Sequence, residues 1–143
     1  MIFSEDKMKG NILVVDDHPN WPELLSIVLT DDGHKVTKAA NFQEAVDLLK
    51  CNPFDIAILD MRLVDASPYN IQGMEVLKEA KKIQPSIKAI ILTGYPDQKQ
   101  REKALNFYKA DGYYEKAPDG KPFDIDVFSK EIFRLLNEDK HVE

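Results

Sequence analysis

Three short runs in the chain are almost continuously apolar: Ile12-Leu-Val-Val15, Ile56-Ala-Ile-Leu59 and Ala89-Ile-Ile-Leu92. Runs of this length without alternation predict strands covered on both faces, as in a parallel sheet between helical layers. Two further runs, Lys35-Val-Thr-Lys38 and Gly112-Tyr-Tyr-Glu115, mix polar with apolar residues and predict edge strands. Between the strands the apolar positions change to a helical spacing. Trp21, Leu24, Leu25, Val28 and Leu29 follow i, i+3, i+4, i+7, i+8, and Phe42, Ala45, Val46 and Leu49 repeat the pattern. Asn41 and Glu44 are spaced like a helix cap and its reciprocal partner. Val76, Leu77, Ala80 and Ile83 predict a third helix, and Phe128, Ile132, Leu135 and Leu136 a last one. The helix expected within residues 97–109 differs, because Asp97-Gln-Lys-Gln-Arg-Glu-Lys103 is wholly polar and apolar positions gather only near Ala104, Leu105 and Tyr108. Its first half should be exposed.

Strands alternating with helices define an α/β fold, and no internal repeat or low-complexity segment competes with it. With the second and fifth strands outside, the order is that of a doubly wound, five-stranded parallel sheet, 2-1-3-4-5, flanked by five helices. A chain of 143 residues is expected to form one domain, with its core at about residues 10–138 and short tails.

Composition narrows the function classes. With 19 basic and 25 acidic side chains the net charge is −6, and no Lys/Arg-rich run offers a nucleic-acid footprint, so direct DNA or RNA binding is not expected. The single cysteine, Cys51, cannot form an internal disulfide and has no metal-ligand spacing. No apolar run approaches a membrane span, and Met1-Ile-Phe-Ser-Glu-Asp-Lys-Met-Lys9 lacks the apolar stretch of a signal peptide. A cytoplasmic protein with no membrane partner is the expectation.

Polar groups collect where the central strands end. The first strand runs into Asp16-Asp17, the third into Asp60 and the fourth into Thr93. Parallel neighbours lie about 4.8 Å apart, so these side chains should meet at the carboxyl edge, where open α/β sheets bind ligands. Three adjacent carboxylates resist being ionised together unless a cation relieves the repulsion. A hard divalent ion such as Mg²⁺, which takes oxygen ligands and keeps several waters, suits such a cluster and points to phosphoryl transfer. Asp after a strand is also a common turn or capping residue, so no one of the three is specific by itself.

Over about residues 10–138 the chain resembles the receiver domain of bacterial-type response regulators of two-component systems, including chemotaxis-regulator-like single receivers. The resemblance rests on Leu13-Val-Val-Asp-Asp17, Ile58-Leu-Asp-Met61, Ile91-Leu-Thr-Gly94 and Ala110-Asp-Gly-Tyr-Tyr-Glu-Lys116, in that order. It implies that Asp60 accepts a phosphoryl group from a phosphohistidine of a partner kinase or phosphotransfer protein. Asp17 and Asp60 would ligate Mg²⁺ directly, Asp16 mainly through water, and the backbone carbonyl of Arg62 would add a further ligand. Thr93 and a lysine after the fifth strand would bond phosphoryl oxygens, and Tyr113 matches the aromatic residue that turns inward with Thr93 when the switch is thrown. The face of the last two helices and fifth strand would contact a downstream protein target, with self-association into a homodimer also open.

The chain departs from the family pattern at the lysine and after the acceptor. The usual Lys-Pro has two imperfect counterparts. Lys116 has the right distance from Gly112 but is followed by Ala117, whereas Lys121 precedes Pro122 but stands five residues late. A loop absorbs five extra residues and a strand does not, so strand register favours Lys116. Gly73 stands thirteen residues beyond Asp60 instead of eight, which lengthens the loop at 61–72 on the phosphorylation face. Arg62 and Tyr95 are bulky where the family controls water access to the phosphoryl group. Two other functions stay open at this stage. One is a receiver-like module that binds partners without phosphorylation. The other is an aspartyl-nucleophile phosphatase, disfavoured because Arg62 replaces the second Asp that such enzymes use as acid/base. Beyond its own phosphorylation and dephosphorylation, no enzymatic turnover is expected.

Overall fold

In a computed structural model of the chain, the described residues are 9–17, 20–61, 72–94, 97–116 and 123–138. Strands β1 (Asn11–Val15), β2 (Lys35–Ala39), β3 (Ile56–Asp60), β4 (Lys88–Thr93) and β5 (Gly112–Glu115) form one parallel sheet in the order β2-β1-β3-β4-β5. The helices are α1 (Asn20–Asp31), α2 (Phe42–Cys51), α3 (Gln72–Ile83), α4 (Gln98–Glu102) and α5 (Ile125–Glu138), which makes the expected doubly wound topology.

The uninterrupted apolar runs of β1, β3 and β4 are explained by their two covered faces. Alternate residues Leu13, Val15, Ala57, Leu59, Ala89 and Ile91 pack with α2 and α3, while Ile12, Val14, Ile56, Ile58, Ile90 and Leu92 pack with α1 and α5. The edge strands bury less, as their polar residues require. On α2, Asn41 Oδ1 accepts from the Glu44 amide at 2.9 Å, and Glu44 returns to the Ala40 amide at 2.8 Å, one residue earlier than a standard capping box.

The stripe predicted for α1 is wider than the one observed. Leu25 and Leu29 are fully buried against β1 and α5, but Leu24 is 48% exposed, and Ile27, outside the predicted stripe, is 54% exposed. Only the line of residues aimed into the groove between sheet and α5 is covered. The Trp21 side chain lies outside the described part. The segment at 97–109 departs from a simple helix as well: α4 ends at Glu102 and continues as a π-helical turn, Lys103–Phe107, closed by a bond from the Tyr108 amide to the Lys103 carbonyl at 3.0 Å.

The end of α1 carries a residue whose role the sequence did not announce. Gly33, at φ +99°, sits in the left-handed position of a Schellman motif, with the His34 amide bonded to the Leu29 carbonyl at 3.1 Å and Gly33 to Thr30 at 2.9 Å. This delivers His34 into the interior, where its ring lies 4.8 Å from Phe133 and its Nδ1 accepts from the Gly10 amide at 3.1 Å. The bond to Nδ1 places the proton of the neutral ring on Nε2, which is buried without a partner among the described residues. Burial holds the His34 pKa below 6.5, Lys9 adds to the shift and Asp32 opposes it. A depressed folded-state pKa means that the unfolded chain binds the proton first, so the stability His34 contributes is present above pH 6.5 and is lost as pH falls through the folded value. Urea denaturation between pH 7 and 5 is expected to show a loss with a slope of up to about 1.4 kcal/mol per pH unit. The His34→Gln chain should lack that component; an unchanged pH profile would refute the assignment.

Candidate functional site

Strand register assembles the site. Val15 pairs with Leu59 and Asp60 with Leu92, so the residue after β1 and the last residues of β3 and β4 end at one level, and Thr93 pairs with Glu115 on β5. Backbone bonds extend the ladder past the strands: Asp16 to the Ala39 carbonyl at 3.0 Å, Met61 to Leu92 at 3.1 Å and Lys116 to Thr93 at 2.8 Å. Asp16, the first of the acidic pair, is therefore held by the sheet itself.

Asp16, Asp17 and Asp60 each present a carboxylate oxygen within 4.8 Å of the others. Asp16 and Asp60 are buried, at 3% and 8% exposure, and Asp17 is open to solvent. Even-numbered residues of β1, β3 and β5 share the α1/α5 side, and continuation of that alternation brings Asp16, Asp60 and Lys116 together. The Lys116 ammonium lies 2.8 Å from Asp16 Oδ2 and 3.4 Å from Asp60 Oδ1, with its side chain 12% exposed. Of the two lysines, Lys116 thus reaches the acidic cluster; Lys121 lies outside the described residues. Also outside them are Arg62, Tyr95 and the greater part of the 61–72 loop.

Thr93 is fully buried at the end of β4, and Tyr113 packs on the α2/α3 side of the sheet. The Tyr113 hydroxyl is buried without a hydrogen-bond partner among the described residues, and burial pushes its phenol pKa up. The nearby Asp97 backbone opposes that shift in part without completing a bond of good distance and angle. Gly73, at the start of α3, donates to the Met61 carbonyl at 2.9 Å and lies against the Asp60 backbone. Its odd spacing from Asp60 was visible in the sequence, but the close approach was not.

Two buried carboxylates and one exposed one, opening at a sheet edge, make an all-oxygen donor set. That set fits a small hard divalent cation that retains waters, and does not fit a softer metal that favours sulfur or nitrogen ligands. A lysine beside two of the carboxylates adds a point charge able to pair with an anionic oxygen.

The family model for the response regulator receiver domain matches residues 12–127, and the chain belongs to that family. It is 34% identical over 131 residues to sporulation initiation phosphotransferase F of Bacillus subtilis, an alignment that covers 90% of this chain and 95% of that protein. Over 86 residues it is 33% identical to the transcriptional regulatory protein GlrR of Escherichia coli, covering 60% of this chain and 18% of that protein. Among solved structures, a response regulator receiver domain protein of Methanospirillum hungatei superposes with a TM-score of 0.76 at 28% identity, over 93% of this chain and 98% of that one. The chain is a response regulator receiver domain of the two-component type.

Proposed function

We propose that the chain is a phosphorylation-controlled switch whose acceptor is Asp60. The observation that carries this reading is the Lys116 ammonium beside Asp16 and Asp60, within a three-carboxylate cluster at the carboxyl edge. A carboxylate oxygen of Asp60 attacks the phosphorus of a phosphohistidine on a kinase or phosphotransfer protein, the P–N bond breaks, and its electron pair leaves with the imidazole. Asp16, Asp17, Asp60 and the Arg62 carbonyl would hold Mg²⁺, which supplies charge neutralisation for the transferring group. Lys116, already 3.4 Å from Asp60, pairs with one phosphoryl oxygen, and the Thr93 hydroxyl with another. Tyr113, whose buried hydroxyl has no hydrogen-bond partner among the described residues, rearranges with Thr93. Output passes through the face formed by α4, β5 and α5, which includes a cleft of about 250 Å³ between Tyr113, Phe123, Val127 and Phe128. The resemblance to a single-domain relative, together with a helical complement that among the described residues has no span long and apolar enough for a membrane, supports a cytoplasmic setting. The presence of Lys116 at the cluster favours the switch over a constitutive interaction module.

The test is intact mass after incubation with Mg²⁺ and acetyl phosphate, beside Asp60→Asn and a chelated control. One phosphoryl adduct that needs both Asp60 and Mg²⁺ is expected. No adduct on folded protein, with acetyl phosphate or with a phosphohistidine donor, would overturn the reading.

Donor docking makes a separate prediction. Leu24 and Ile27 lie one turn apart as an exposed apolar pair on the helix that follows Asp16-Asp17 in the chain. Ile27→Asp should slow transfer from a phosphohistidine protein by about tenfold, the loss of one interface anchor. The rate with acetyl phosphate should stay unchanged. Equal slowing with both donors would place the effect in the fold and not in docking.

A further inference from the structure

The proposed output face carries a feature on α4 that narrows the chemistry of its partner. In residues 98–109 four basic side chains, Lys99, Arg101, Lys103 and Lys109, accompany one acidic side chain, Glu102, inside a chain of net charge −6. All four are exposed, and none of them forms an ion pair with a described residue, whereas Glu102 is bonded to Gln98 at 3.1 Å. Phe107 stands among them at 71% exposure, more than any other large apolar side chain described.

This exposure follows from the local backbone. Lys99, Lys103 and Phe107 recur at i, i+4, i+8 and share one stripe, while Ala104 alone of the segment is fully buried. The π-helical turn at Lys103–Phe107 and the left-handed Lys109 (φ +64°) stop the helix just past Phe107, and the Phe107 ring is braced edge-on against Tyr108 at 4.9 Å. An aromatic ring left in water forgoes the free energy of its burial. A partner that covers it recovers that amount.

Resting on the switch reading above, we infer that the outer stripe of α4 and of the π-helical turn after it docks an acidic protein segment carrying an apolar side chain, with Phe107 as the central anchor and Lys99 and Lys103 as the charge complement. Uncompensated positive charge on an otherwise acidic protein steers an acidic partner to this helix and repels it from the rest of the surface. A nucleic acid is the less suitable occupant: the stripe is only about 12 Å long, and the net charge of the whole chain opposes a polyanion. The underside of α4 ties this surface to the switch. Among the described residues, Gln100 Oε1 and the Tyr113 hydroxyl of the strand beneath are buried without hydrogen-bond partners, so neither atom ties the helix to the sheet through a completed bond. Tyr113 shares its packing cluster with Ala104, Leu105 and Tyr108, so its rearrangement would reach the turn that presents Phe107.

The experiment is an amide chemical-shift titration of the ¹⁵N-labelled full chain with a short Asp/Glu-rich peptide bearing one central Phe. Parallel titrations use the same peptide with Ser for Phe, its Lys-rich counterpart and a short single-stranded DNA. Saturable shifts confined to residues 98–109 and their β5 neighbours are expected for the first peptide alone. Lys103→Glu and Phe107→Ala should each weaken binding by about tenfold, and Phe107→Tyr should retain it. Absence of shifts there, equal binding of the Lys-rich or Phe-free peptide, equal binding of DNA, or the same shifts on raising protein concentration without peptide would each overturn the inference. The Asp60 adduct is a separate readout on the same protein. Loss of the adduct with peptide binding intact overturns only the switch; an adduct without peptide shifts overturns only the docking.

Discussion

Lys116→Met should destabilise the metal-free protein by about 3–5 kcal/mol and slow phosphorylation of Asp60 by about a hundredfold. Its side chain is 12% exposed, and its ammonium contacts two carboxylates that are themselves almost fully buried. Methionine keeps the length and apolar stem of the side chain but withdraws the charge, leaving Asp16 and Asp60 adjacent in a poorly solvated site. Mg²⁺ should then restore more stability to the variant than to the parent, because bound cation does part of the lysine's electrostatic work. The rate should not recover with it, since no ammonium remains to pair with the phosphoryl oxygen. Urea denaturation with and without Mg²⁺, together with adduct formation over time, measures both effects. Lys121→Met should behave as the parent. If Lys121→Met carries the rate loss instead, the choice of lysine from strand register is wrong.

Gly73→Ala should cost about 2–4 kcal/mol and lower the phosphorylation rate at least tenfold. A Cβ at this position would come within 2.1 Å of the Asp60 carbonyl oxygen, 2.7 Å of Met61 Cα and 2.8 Å of the Asp60 carbonyl carbon. All three obstacles are backbone, so no rotamer change makes room. The start of α3 must move off the end of β3, stretching the 2.9 Å bond from Gly73 to the Met61 carbonyl and shifting the acceptor. Gly94→Ala is the control for stability, since a Cβ there would have no neighbour within 4 Å. Equal stability of Gly73→Ala and parent in urea would show that the helix yields without strain.

Burial of three strands on both faces wrote itself into the chain as Ile12–Val15, Ile56–Leu59 and Ala89–Leu92, because each side chain there faces one apolar layer or the other. The polar residues that interrupt such runs could only stand at the strand ends, so Asp16, Asp17, Asp60 and Thr93 were legible as a cluster before any geometry. The predicted order of the sheet followed from the same reasoning, since Lys35 and Lys38 on one strand and Glu115 on another are tolerable only at edges.

Other features depended on distances that no local pattern encodes. Leu24 has the spacing of a core residue and is half exposed, because the width of the covered stripe on α1 is set by where α5 comes to rest. The turn that puts Phe107 in water arises where the polar half of the segment meets Ala104 and its few apolar neighbours, a balance that spacing alone does not resolve. No local pattern marked His34, which the Schellman turn brings against Phe133.

What the sequence by itself determined is the set of elements, their order in the sheet and the acidic residues at its carboxyl edge, since each follows from short-range periodicity and from the cost of burying charge. Only the tertiary structure showed the Lys116 ammonium against Asp16 and Asp60, that Gly73 leaves no room for a side chain beside the acceptor, and which apolar side chains stay in water. Those outcomes turn on the meeting of residues distant in the chain, with tolerances of less than the length of one bond.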